Sequence, residues 1–100
     1  MIKIVALYKK PDDVDAFMAH YNQVHLPLVR KTPGLRRLEV SRVVANAFGG
    51  EPPYFLITEM YYPDRATFEA AMRSEENKAV ARDAGSFAKG LLIALICEEV

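Results

Sequence analysis

Apolar and polar positions fall into blocks along the chain, and each block predicts an element. Ile2 to Tyr8 is β-branched and apolar at both parities, the pattern of a strand covered on two faces. Pro11, Asp12 and Asp13 follow, and either aspartate can cap a helix by accepting the free amide hydrogens of its first turn. From Val14 the apolar residues Phe17, Met18, Tyr21, Val24 and Leu28 recur at helical spacing. Pro27 interrupts that helix, since its ring clashes with the preceding turn and its nitrogen cannot donate. The helix should kink or restart between Val24 and Pro27 and end before Pro33-Gly34. Leu35 to Val44 carries mixed charge and suits an edge strand. Ala45 to Pro53 is a loop, marked by Gly49-Gly50 and Pro52-Pro53. Tyr54 to Tyr62 is another strand, Asp64 and Ser74 cap two helical segments, and Gly90 leads into a last strand, Leu91 to Glu99.

The order β-α-β-β-α-β is the ferredoxin-like α+β plan, with a four-stranded antiparallel sheet. Its helices can cover only one face of that sheet. Yet in the first strand Ile2, Ile4 and Ala6 are apolar on one parity and Val5 and Leu7 on the other. In the last strand Leu91, Ile93 and Leu95 oppose Leu92, Ala94 and Ile96. Leaving the second set in water would expose a larger apolar patch than monomers usually carry. Burying each such side chain is worth about 1.5–3 kcal/mol. A homodimer through the sheet is the expected solution.

Composition narrows the functional classes. A chain of 100 residues is one domain, residues 1–100, and its 51% apolar and 26% charged content is that of an ordinary globular protein. Thirteen basic residues balance thirteen acidic ones, so no net field favours nucleic acid or an anionic membrane as partner. The basic cluster of Arg36, Arg37 and Arg42 has Glu39 inside it and reads as a solvated edge. Cys97 is the only cysteine and lies in an apolar run, so an inert buried thiol and a reducing compartment are expected. The opening apolar run is too short to span a membrane and is not followed by a small-residue cleavage site. A cytoplasmic location is expected.

The candidate chemistry gathers on the first helix. At about 100° per residue, Val14, Phe17, Met18, Tyr21, Val24 and Leu28 fill an arc of roughly 120°, with His25 inside it and His20 on its flank. An imidazole on a core-facing stripe must find a partner or line a cavity. In one reading His25 donates to a carbonyl near the kink. In the other, the kink opens an apolar pocket in which His25 and Tyr21 are the polar groups. Glu59, among apolar neighbours on a strand, is either half of a structural ion pair or a second ionisable group facing that pocket. Tyr8 stands where it can reach the pocket mouth, and Phe17 belongs to the lining. His20 and His25, five apart, lie too far round a regular helix to pair on a metal. There is no glycine-rich phosphate loop and no serine or cysteine nucleophile motif, so neither metal nor cofactor is expected.

The run Phe17-x-x-His20-Tyr21-x-x-x-His25-x-Pro27-Leu28, followed by Pro33-Gly34-Leu35, resembles the amino-terminal signature of the EthD family. So do Tyr54-Phe55-Leu56-Ile57-Thr58-Glu59 and the stretch from Ser74-Glu75-Glu76 to Asp83-x-x-x-Phe87. The resemblance implies a dimeric α+β barrel, in which two four-stranded sheets pack face to face. The family takes its name from a bacterial protein required for ethyl tert-butyl ether degradation by a haem monooxygenase system. Fungal relatives dehydrate or decarboxylate aromatic polyketides, and wider relatives of the barrel include muconolactone isomerase and cofactor-free monooxygenases. The family's histidine maps to His25 and its aromatic neighbour to Tyr21, with no second acid or base evident beside His25 unless Tyr8, Tyr21 or Glu59 supplies one.

The expectation is a small-ligand site lined by Tyr8, Phe17, Tyr21, His25 and Glu59. In it a small hydrophobic or aromatic molecule meets His25 as acid or base, in isomerisation, cyclisation or elimination. The alternatives are a non-catalytic carrier or accessory module for an oxygenase-system partner, and a monooxygenase of the same barrel.

Overall fold

The computed structural model describes residues 1–100. Its elements are β1 (Ile2–Tyr8), α1 (Val14–His20), a π-helical turn (Tyr21–His25), α2 (Leu26–Arg30), β2 (Arg37–Arg42), β3 (Leu56–Tyr62), α3 (Arg65–Met72), α4 (Glu75–Phe87) and β4 (Leu92–Glu98). The strands form one antiparallel sheet in the order β2-β3-β1-β4. Strands β1 and β3 are central, the charged β2 is an edge as its composition requires, and β4, apolar at both parities, is the other edge. The strand boundaries draw in at their ends: β2 is shorter than Leu35 to Val44, and β3 begins at Leu56 rather than Tyr54.

Three side-chain caps start the helices where the sequence puts them. Asp13 accepts from the Ala16 amide at 3.0 Å, Asp64 from Thr67 at 2.8 Å and Ser74 from Asn77 at 3.1 Å. The first helix restarts at Leu26, inside the expected interval between Val24 and Pro27, and ends at Arg30, before Pro33-Gly34. The chain does not break ahead of Pro27; it widens into a π turn, in which the amide of Leu26 donates to the carbonyl of Tyr21, five residues back. Pro27 then sits in the first turn of α2, where a missing N–H costs least.

Register separates the two faces of the sheet. Ile2, Ile4, Ala6 and Tyr8 pair across β3 with Tyr62, Met60, Thr58 and Leu56, and this set lies beneath the helices. Phe17, Tyr21, Leu26, Val29, Phe68 and Ala71 pack onto it to complete the core. The opposite face carries Val5, Leu7 and Ile57 and, on β4, Ile93 and Leu95, which are 39% and 48% exposed. Cys97 shares that outer face and is half-exposed rather than buried. No helix is long and apolar enough to cross a membrane.

Candidate functional site

A cavity of about 500 Å³ lies between the helix-covered face of the sheet and the pair α2 and α4. Its floor is Ile4, Ala6 and Tyr8 of β1, Met60 and Tyr62 of β3, and Leu92 and Ala94 of β4. Ala6 and Ala94 are direct cross-strand partners, so the middle of the floor is shallow. The roof is equally spare, built from Ala81, Ala84, Gly85 and Ala88. Small residues on both sides leave the space; the volume is that of an ordinary small-molecule site. Ala81, Gly85 and Ala94 are exposed, which puts the opening between α4 and the β4 edge. Lys89 also lines the cavity and makes no ion pair.

His25 enters this cavity from the end of the π turn and is buried, 3% exposed. Its Nδ1 lies 2.8 Å from Oδ2 of Asp83 on α4. The other carboxylate oxygen, Oδ1, lies 2.8 Å from Nε2 of His20. An ionised carboxylate only accepts, so both imidazoles donate to it. That fixes His25 with its proton on Nδ1 and a lone pair on Nε2, which has no hydrogen-bond partner in the chain and is not sealed from solvent. Burial lowers the His25 pKa below the ordinary imidazole value, and the bond to Asp83 opposes part of that shift.

Asp83 is therefore the missing partner of His25, and it comes from outside the set Tyr8, Tyr21 and Glu59. The reading in which His25 donates to a carbonyl at the kink is replaced by this carboxylate bond. His20 and His25 also turn out to face one group. A regular helix would set them well apart, but a turn closed by an i to i+5 bond brings residues five apart onto one side. Nε2 of His20 and Nδ1 of His25 are both aimed at Asp83, and no group of three acidic, histidine or cysteine side chains is arranged to hold a metal ion.

The remaining expected site residues divide. Tyr8 lines the cavity; its hydroxyl makes no hydrogen bond within the chain, and burial holds its pKa well above the usual phenol range. It is thus a protonated hydroxyl with its hydrogen-bonding capacity unused within the chain. Tyr21 stacks on His25 with ring centroids 5.8 Å apart, while its hydroxyl is bonded to that of Thr58 and so is engaged beneath the site. Phe17 does not line the cavity; it packs against Tyr8 at 5.6 Å and stacks on Tyr21 at 6.1 Å, supporting both from behind.

Glu59 is a correction. It pairs in register with Val5, on the outer face of the sheet, where it meets Lys3 at 3.2 Å and not the cavity. Because both faces of β3 read as apolar, strand parity could not tell which one Glu59 shared. Phe87, present in the family signature without a role, belongs to the site as well. One turn after Asp83, it lies 4.7 Å from the His20 ring and 4.8 Å from the His25 ring, so both imidazoles rest against one aromatic side chain.

An imidazole held in one tautomer by a carboxylate, with its free nitrogen in a mostly apolar cavity, is equipped to take or give a proton. Comparison with known proteins agrees with the frame that holds it. A crystal structure of an ethyl tert-butyl ether degradation (EthD) family protein from Bacillus halodurans is 46% identical, covering 100% of this chain and 99% of that one, with a TM-score of 0.93. An uncharacterised 11.0 kDa protein of the thcB-thcC intergenic region in Rhodococcus erythropolis is 29% identical, over 99% of this chain and 95% of its own. A dimeric, ferredoxin-like protein of unknown function from Bacteroides fragilis shares the fold at 16% identity and TM-score 0.65, over 98% and 95% of the two chains. An antibiotic biosynthesis monooxygenase does so at 16% identity and TM-score 0.59, over 100% and 99%. The EthD domain model matches residues 9–90, a span that holds His20, Tyr21, His25, Asp83 and Phe87, and the chain belongs to the EthD family.

Proposed function

We propose that this protein binds a small hydrophobic or aromatic molecule in the cavity and moves a proton on it, with His25 as acid or base. The observation that carries the reading is the His25 imidazole, tied at Nδ1 to Asp83 and free at Nε2 beside a space of about 500 Å³. In the forward step Nε2 takes a proton from an acidified C–H or O–H of the ligand. The electron pair left behind is stabilised on a ligand oxygen by the Tyr8 hydroxyl, and Asp83 compensates the imidazolium that forms. Return of the proton to a different atom completes an isomerisation; loss of a leaving group completes an elimination.

A bicyclic ketone with an acidic benzylic C–H, 2-tetralone, is a suitable probe. Its deuterium exchange in heavy water should be faster with the protein than without it. His25→Ala should abolish most of that acceleration, since general acid–base catalysis contributes about 10²–10⁴-fold. Equal exchange by His25→Ala removes the acid–base role. Equal binding by both proteins with no exchange favours the carrier reading instead.

We further propose that two copies pair through the outer face of the sheet. The exposed Ile93 and Leu95 support this, as does the fold shared with a protein described as dimeric.

A further inference from the structure

We propose that His20 is a positioning residue: it anchors Asp83 from the solvent side, so that Asp83 holds His25 with Nε2 turned to the cavity. This deepens the acid–base reading above and rests on it. The geometry is a bridge with one carboxylate at its centre. Oδ1 meets His20 and Oδ2 meets His25, each at 2.8 Å, and exposure falls along the bridge from 34% at the His20 side chain to 14% at Asp83 and 4% at His25. A surface aspartate on an Ala- and Gly-rich helix has several rotamers open to it. One that accepts a single bond from a buried imidazole still has a free oxygen drawn toward water. Here that oxygen is taken by His20, and Phe87 stacks on the His20 ring so that the ring itself is held.

The bridge depends on the π turn. Without the extra residue in that turn, His20 and His25 would point in different directions and a single carboxylate could not serve both. The other polar groups close to His25 do not substitute for this arrangement. Tyr8 approaches from β1 without a hydrogen bond, Tyr21 is committed to Thr58, and Arg30 of α2 acts on Tyr21 rather than on His25.

The test reads the tautomer of His25 directly, from long-range ¹H–¹⁵N correlation spectra of the imidazoles in the ligand-free protein. In the wild type His25 should give the pattern of a single Nδ1–H tautomer. His20→Ala and His20→Phe should both convert it to an averaged mixture; the phenyl ring preserves stacking on Phe87 while removing the N–H. His20→Gln, which retains a side-chain N–H donor, should restore the single pattern. A purely structural role for His20 predicts the reverse ranking, with His20→Phe unaffected. Retention of the single Nδ1–H tautomer in His20→Phe overturns the proposal. These spectra need no ligand, so a failure of 2-tetralone exchange would count against the reaction and leave the bridge standing.

Discussion

The chemistry at residue scale turns on a neutral imidazole in a buried place. Because burial lowers the His25 pKa, the unfolded chain binds more protons than the folded one just below the ordinary value of 6.5. The stability that His25 contributes is therefore complete above that value and falls as the pH drops below it, levelling off under the lowered folded pKa. Thermal melts of wild type and His25→Gln from about pH 8 to pH 5 should show the wild type losing ground as acid is added, and the variant losing less. Removing the partner should cost more than removing charge from a surface. Asp83→Ala strands a buried Nδ1–H and is expected to destabilise by about 1–3 kcal/mol in chemical denaturation. Tyr8→Phe is a milder change: the fold should melt as before, while a ligand that accepts from the hydroxyl binds several-fold more weakly, for a bond worth about 0.5–1.5 kcal/mol. Of these three residues the sequence made two legible. His25 and Tyr8 announce themselves by lying on an apolar stripe and at the end of a buried strand. Asp83 enters the family resemblance through Asp83-x-x-x-Phe87 without a role; on its helix it reads as one more polar position, and nothing local ties it to a histidine 58 residues earlier.

At the scale of elements, parity and capping carried most of the reading. Asp13, Asp64 and Ser74 each sit before a helix as short acceptors, and the structure starts a helix at each. The π turn is not legible in the sequence, because a single inserted residue leaves an apolar stripe at about 100° per residue nearly unchanged. Its presence makes a sharp prediction. Deleting Gln23, an exposed residue of the turn, should return the segment to a regular α-helix, keep the helical content seen by circular dichroism, and abolish His25-dependent exchange. A second element depends on one glycine. Gly34 adopts φ +78°, and a Cβ there would run into the Thr67 methyl of α3. Gly34→Ala should destabilise by about 1–3 kcal/mol, read as a lowered denaturation midpoint, with no direct effect on the cavity.

The whole molecule is a sheet with two different obligations. One face builds the site, and the other presents Val5, Leu7, Ile57, Ile93 and Leu95 beside the charged cluster of Lys3, Glu59 and Arg37. Leu95→Glu should shift a dimeric mass to a monomeric one in light scattering at micromolar concentration while leaving the circular dichroism spectrum intact. A wild type that is already monomeric there would dispose of the pairing. The sandwich of helices on sheet has a further consequence on its other side. The helix α4, which contributes Ala81, Ala84 and Gly85 of the roof, buries none of its own residues completely. Ala81, Ala84 and Gly85 can thus gain bulk at the expense of the cavity rather than of a packed core, which makes α4 a gauge for ligand size. Ala84→Leu should exclude the larger members of a graded ligand series and spare the smallest. Relatives that differ only along this helix would be expected to sort molecules by girth while sharing one proton-handling histidine.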